Sequence, residues 1–355
     1  MEISFGKIRI LLRKFYFEGL MNELKLCWNI LPRVSRSFSL CIKLLPKPLD
    51  KEVMISYLIF RVIDTVEDSS AKLGYKKELF DEFIEVLSSH SYNKGLTLKC
   101  GKNLVEKLNF SYESILLKNL DAVIKVYFSF PEAIRKVILK YSKESAHGMY
   151  KFQKKNITTF NEQDEYCYYV AGIVGYLLTD LFYHNKVINK QKRNHLMKYA
   201  RNFGLALQKV NIIRDVAYDI PDKRYYWPKN ILKKHKLDYN TVCLKKNRGK
   251  ALVILSDMIK NALHYLKDAM HYTTSLPKTA LKVRVFCLIP LFMSIKSFVK
   301  CINNENVFIK DKKVKISREE VKKIVKKSYI YSISNSLLNR WYDQSMKHMR
   351  MMKSN

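Results

Sequence analysis

The chain has 355 residues and a formal charge of +33, from 65 lysines and arginines against 32 aspartates and glutamates. Ten glycines and eight prolines make up about 5% of it, against roughly 12% in ordinary proteins, which excludes a turn-rich β architecture and points to an all-α chain. The charge calls for an anionic partner, yet the lysines are scattered among apolar residues. No zinc spacing, RNA-binding sheet motif or basic-plus-heptad segment marks a specific nucleic-acid binder.

At the start, Lys7, Arg9, Arg13, Lys14 and Glu18 interrupt the apolar residues, so no signal-peptide core is expected. A first helix is predicted over 50–68, after Pro46 and Pro48 and capped by Asp50. Further helices are predicted over 76–88, 103–128, 131–150, 161–185, 190–219, 247–273, 279–301 and 318–347. Pro221 and Pro228 interrupt the chain after 219, because proline clashes with a continuing helix. The apolar stretch Val283–Val299 carries Arg284, Pro290 and Lys296 and is too broken to span a bilayer. A polar stretch over 303–317 precedes the basic last helix. One domain over 1–355 is expected. The seven cysteines lack any Cys-x-x-Cys pair, which suggests a reducing, cytoplasmic setting.

Asp64 and Asp68 lie four residues apart, so on a helix they share one face, which Arg61 and Tyr57 extend. Glu67 sits beside them. Like charges at this spacing repel, and a divalent cation turns that repulsion into a ligand set of the hard oxygens that Mg²⁺ prefers. A second stripe, Gln208, Asn211, Asp215 and Asp219, falls at steps of three, four and four on an otherwise apolar segment. Arg214 lies next to it and Arg224 follows in a Tyr-Trp-Pro loop. Guanidinium forks suit phosphate oxygens. Two such helices facing each other would cage Mg²⁺ and a diphosphate. Tyr166, Val170, Val174 and Leu178 make a further stripe, with Ala171, Gly172 and Gly175 leaving room beside it for another helix or a ligand. No Gly-rich phosphate loop and no Ser-His-Asp or Cys-His arrangement is present.

In order along the chain, these segments resemble the squalene/phytoene synthase family from about 35 to 316. Ser35-Arg36-Ser37-Phe38 resembles a substrate-binding motif, Asp64–Asp68 the first acidic motif, Tyr166–Gly175 the central motif and Gln208–Asp215 the second acidic motif. Asn303, Asn304, Val307, Phe308, Lys315 and Ile316 are similar to a segment near the family's cofactor site. Two departures stand out. Tyr218 replaces the glutamate of the usual Asp-x-x-Glu-Asp, and Leu291 stands where animal members carry glutamine. Ser317 and Glu319 also differ from the usual arginine and glycine.

The resemblance implies the isoprenoid synthase fold, with antiparallel helices around a central cavity. It implies that Mg²⁺ is held by Asp64, Glu67, Asp68, Asp215 and Asp219. Arg36, Ser37, Phe38, Tyr57, Arg61, Val170, Val174, Leu178, Gln208, Asn211, Arg214, Arg224 and Phe286 would bind farnesyl diphosphate, with Tyr166 near the reacting cation. NADPH would bind at Asn303, Asn304 and Lys315. Two farnesyl diphosphates would join head to head as presqualene diphosphate, followed by reduction to squalene. The alternatives are a dehydrosqualene, presqualene diphosphate or phytoene synthase, or a non-catalytic assembly factor of the same fold. A monomer is expected. The C-terminal anchor of animal and fungal members is not expected here, which leaves peripheral contact with a membrane surface.

Overall fold

The computed structural model describes residues 5–108 and 114–351, and these are helical with no strand. The chain divides into two compact units, Met1–Lys43 with Lys47–Tyr150, and Leu44–Pro46 with Lys151–Asn355.

The first unit contains α1 (Phe5–Val34), α2 (Arg36–Ile42), α3 (Leu49–Asp68), α4 (Leu73–Ser88), α5 (Lys94–Leu108), α6 (Ser114–Lys118), α7 (Leu120–Phe128) and α8 (Glu132–Phe152), the last running just past its end. α1 and α2 precede the first predicted helix. Ser35 separates them in extended backbone, its hydroxyl accepting from the Phe38 N–H. α3 begins at Leu49, so Asp50 lies in its first turn and is not its cap. Val53, Met54, Ile55, Leu58, Ile59, Phe60, Val62, Ile63 and Val66 of α3 are all buried. A helix apolar on nearly every side belongs in the middle of its unit, and α3 packs against α1, α4 and α7. The predicted helix 103–128 is divided. Its final break falls at Asn119, whose side chain donates back to the Ile115 carbonyl at 2.7 Å.

The second unit contains α9 (Phe160–Cys167), a π-turn (Tyr168–Gly172), α10 (Ile173–His184), α11 (Lys190–Arg214), α12 (Val216–Asp219), α13 (Lys229–Lys234), α14 (Arg248–Ser275), α15 (Leu281–Cys301), α16 (Arg318–Tyr331) and α17 (Asn335–Met351). Thr159 and Glu162 form a reciprocal capping box that starts α9. Along α14, Ala251, Ile254, Leu255, Met258, Ile259, Ala262, Leu266 and Ala269 recur at helical spacing and are buried against α11 and α15. Each isoleucine, leucine or methionine among them contributes about 1.5–3 kcal/mol when fully buried. Pro290 sits within α15 without ending it. The predicted helix 318–347 is two helices. The hydroxyls of Ser328 and Ser332 bond back to the carbonyls of Ile324 and Tyr329, and serine bonding of this kind competes with helix continuation.

α10 and the π-turn before it approach α11 backbone to backbone. A Cβ on Gly175 would lie 1.9 Å from the Ala200 carbonyl oxygen, and one on Gly204 would lie 2.1 Å from that of Ala171. The small residues of the central motif therefore admit a neighbouring helix.

Candidate active site

In the first unit the accessible stripe of α3 is Tyr57, Arg61, Asp64 and Asp68, as the spacing predicts. The Phe38 ring lies 5.6 Å from that of Tyr57, and Ser35 hydrogen-bonds the Tyr57 hydroxyl. One turn of α2 thus joins the substrate-motif residues to the acidic stripe. Ser37 is exposed, and the side chain of Arg36 lies outside the described residues.

Arg61 Nη1 is 3.8 Å from Asp64 Oδ2, with the two side chains 27% and 31% accessible. Desolvation pushes the Asp64 carboxyl up to about 7; Arg61 opposes the rise and Asp68 adds to it. The carboxyl is recessed among protein atoms but can still be reached. Glu67 is buried on the flank of the stripe beside Lys76, whose ammonium donates to the Glu67 carbonyl at 2.5 Å.

In the second unit the polar stripe of α11 is a linked ladder. Gln208 and Asn211 meet at 3.4 Å, and Arg214 donates to Asn211 at 3.1 Å. Arg214 then grips Asp215 through Nε at 2.9 Å and Nη2 at 2.6 Å. α11 stops at Arg214, but the Asp215 N–H still donates to the Asn211 carbonyl and the Asp219 N–H to that of Asp215. The stripe therefore continues through the junction into α12. Asp219 pairs with Arg224 at 3.3 Å, and Arg224 also reaches Asp222 at 3.0 Å. Lys223, with φ 59°, turns the chain back so that Arg224 can meet Asp219.

The sequence reading missed Lys313. Its ammonium lies 2.8 Å from Asp215 Oδ1 and 4.9 Å from the centroid of the Tyr218 ring. Burial works to raise the Asp215 carboxyl, but Arg214 and Lys313 outweigh it and hold it below the usual carboxylate range. Only the lysine-rich run 310–315 hinted at this residue, and nothing in its spacing pointed to Asp215.

Tyr166 is buried, stacked on Tyr226 at 4.7 Å and edge-on to Phe152 at 5.5 Å. Gln163 donates to the Tyr226 carbonyl and Trp227 to that of Ile212, so the loop after the second motif is bound to both α9 and α11. The π-turn interrupts the step-of-four stripe. Tyr166 is buried ahead of it, while Val170, Val174 and Leu178 are half-buried. Beneath this lies a second network the sequence did not reveal. The buried Lys209 ammonium meets Asp164 at 2.6 Å, Gln163 at 2.8 Å and Asn261 at 2.6 Å. Phe286 is buried on α15.

Of the predicted cofactor residues, Asn304 is committed to its own turn. It donates to the Lys300 carbonyl at 2.8 Å and accepts from the Asn306 N–H at 3.0 Å. Asn303 holds φ 49°, and Lys315 is exposed together with Lys310 and Lys312. Among the described residues no three carboxylate, histidine or cysteine side chains converge as a ready metal cluster.

Known proteins share this fold and much of this sequence. A solved structure described as TcSQS with the ligand BPH1237 superposes with a TM-score of 0.81 at 29% identity, over 92% of this chain and 91% of that one. A dehydrosqualene synthase in complex with ligand shares the fold at a TM-score of 0.58 and 20% identity, over 89% of this chain and 98% of its own. The architecture is that of the isoprenoid synthases. The squalene synthase of Schizosaccharomyces pombe is 34% identical over 84% of this chain and 64% of its own length. Squalene synthase 3 of Panax ginseng is 34% identical over 79% and 65%. This chain thus spans just under two thirds of those relatives. The family model for squalene/phytoene synthase matches residues 31–320, and the chain belongs to that family.

Proposed function

We propose that the chain joins two molecules of farnesyl diphosphate head to head to presqualene diphosphate and then reduces that product to squalene. The observation that carries this reading is Asp64, a desolvated carboxyl four residues from Asp68 on the one accessible stripe of a buried helix. Such a pair gains most from a hard cation. Because the two accessible carboxylates leave most coordination positions to water and substrate phosphate, the donor set suits Mg²⁺. When bound, Mg²⁺ neutralises diphosphate and makes it a better leaving group.

The chain's own residues do the rest. Arg61, Arg214 and Arg224 hold diphosphate oxygens, and Gln208 and Asn211 orient the arginine fork. As the allylic C–O bond breaks, its electron pair leaves with the diphosphate. The carbocation adds across the double bond of the second substrate, and loss of a proton closes the cyclopropane. In the first unit Phe38 and Tyr57, and in the second Val170, Val174, Leu178 and Phe286, suit contact with prenyl chains away from water. Tyr166, fixed by Tyr226 and Phe152, presents an aromatic surface to the cation and steers the proton towards the released diphosphate. Lys315, with Lys310 and Lys312, suits the phosphates of NADPH, which supplies a hydride when bound. Asn303 completes that region.

The seven free thiols, six of them buried, support a cytoplasmic setting. Tyr329, Ile330, Ile333 and Leu337, exposed around the turn between α16 and α17 beside Lys322, Lys323, Lys326 and Lys327, support peripheral contact with a membrane surface. No helix among the described residues is long and apolar enough to cross a membrane.

Incubation of the pure protein with farnesyl diphosphate and Mg²⁺, with and without NADPH, tests the reading by product mass. Squalene is expected with NADPH, and presqualene diphosphate or dehydrosqualene without it. Lys315→Ala is expected to weaken NADPH use and spare the first condensation. A mass that never changes on adding NADPH would remove the reductive step, and absence of any condensed product would remove the reading altogether.

A further inference from the structure

The second acidic motif differs from the first in what its carboxylates already hold. Asp64 faces a single arginine at 3.8 Å and is raised by desolvation. Asp215 is gripped by Arg214 at 2.6 Å and 2.9 Å, and by Lys313 at 2.8 Å. Asp219 shares Arg224 with Asp222. Asp215, Asp219 and Asp222 are therefore each already paired with a cation. A divalent ion gains much less from carboxylates paired in this way than from a bare carboxylate set.

Tyr218 belongs to the same arrangement. A carboxylate there would add a negative charge, whereas the tyrosine offers Lys313 a ring face at 4.9 Å. Asp215 and Tyr218 both contact the ammonium. An ammonium has three donors, and Asp215 accepts one of them. The Lys313 side chain is 30% accessible, so its remaining donors can be reached by a ligand.

We propose that Lys313 is a diphosphate-binding residue that supplies, at the second acidic motif, positive charge that a metal ion would otherwise bring. This rests on the prenyl diphosphate reading of the site, but it concerns binding and not turnover. Tyr218 and Asp215 position the lysine. The anion it takes is a diphosphate, free or as the head of a prenyl ester. The second motif then engages diphosphate without a metal, while the first retains its demand for Mg²⁺.

The test is calorimetric titration of the full chain with inorganic pyrophosphate in EDTA, and separately with Mg²⁺ alone. The wild-type protein is expected to bind pyrophosphate without metal. Lys313→Ala is expected to weaken that binding roughly tenfold or more, the scale of one charge-assisted hydrogen bond, and Lys313→Arg to restore most of it. Lys313→Ala combined with Tyr218→Glu is expected to tighten Mg²⁺ binding, because Asp215 loses a cation and gains a carboxylate neighbour. Lys313 lies on an accessible segment, and circular dichroism checks that each variant keeps its helical content. Pyrophosphate affinity equal in wild type and Lys313→Ala would overturn the proposal, as would wild-type binding that requires Mg²⁺. If farnesyl diphosphate turnover persists beside either result, the enzymatic reading stands and only the role of Lys313 falls. If Lys313-dependent binding is found without turnover, the converse holds.

Discussion

Asp64 and Asp215 are the same residue type in matching motifs, yet their surroundings push them in opposite directions. Desolvation carries Asp64 up to about 7, while Arg214 and Lys313 hold Asp215 below the ordinary range. Two carboxyls driven apart in this way differ in what they offer a ligand, Asp64 a desolvated acid and Asp215 a carboxylate already held by two cations. Asp64→Ala and Asp215→Ala are each expected to lower farnesyl diphosphate turnover roughly a hundredfold or more, as loss of electrostatic stabilisation does, with helical content unchanged by circular dichroism. Near-normal rates in either variant would contradict that role. The stripes themselves could be read from spacing, since Tyr57, Arg61, Asp64 and Asp68 need only a helix to fall on one face. Lys313 could not. Its partner Asp215 lies far back along the chain, and only tertiary folding brings the ammonium to it.

At the scale of the element, α16 is started by Ser317 and Glu320, and the cap is tied to α15. Glu320 accepts from the Ser317 N–H at 2.7 Å and pairs with Lys300 at 3.0 Å and Lys296 at 3.5 Å. Burial alone would raise this carboxyl, but the cap and the two lysines outweigh it and bring it down to about 2. A folded-state value below the unfolded one stabilises the protein when the group is ionised. The contribution is therefore complete above the unfolded glutamate value of roughly 4.3, and it is lost as pH falls from there through about 2. Thermal melts of Glu320→Gln are expected to show a loss of about 1 kcal/mol at pH 7 and a shallower decline on acidification than the wild type. Parallel curves would show that the pairing contributes nothing. Helix existence was legible here and boundaries were not. The segment 318–347 carries a continuous helical pattern, and its break over Ser332–Ser334 depends on serine hydroxyls turning back on the backbone. α1 is hidden because charges dilute the apolar spacing of its residues, and α2 because seven residues are too few to show a period.

For the whole molecule, the +33 charge comes from lysines and arginines scattered along the chain, and its consequence is general attraction to anionic surfaces. Tyr329, Ile330, Ile333 and Leu337, each 40–58% exposed, would offer a lipid surface an apolar point of entry. Sedimentation with vesicles of mixed neutral and anionic lipid is expected to carry the protein down, less so in high salt and much less for Ile330→Glu with Ile333→Glu. Binding indifferent to both changes would place the contact elsewhere, and a salt-resistant dimer in solution would assign the patch to a second copy. The fold class was legible from the scarcity of glycine and proline together with the ordered motifs. The role of the central glycines was not, because a helix and a prenyl chain ask for the same empty space. That space now has a mechanical meaning. Gly175 is notched against Ala200 while Gly204 is notched against Ala171, each helix lending the other its missing side chain. Sliding either helix by one residue would drive Val174 or Tyr176 into the opposing backbone. The seam is keyed like a mortise at Gly175 and Gly204, so main chain resists any sliding of α11 along the segment that follows Tyr166.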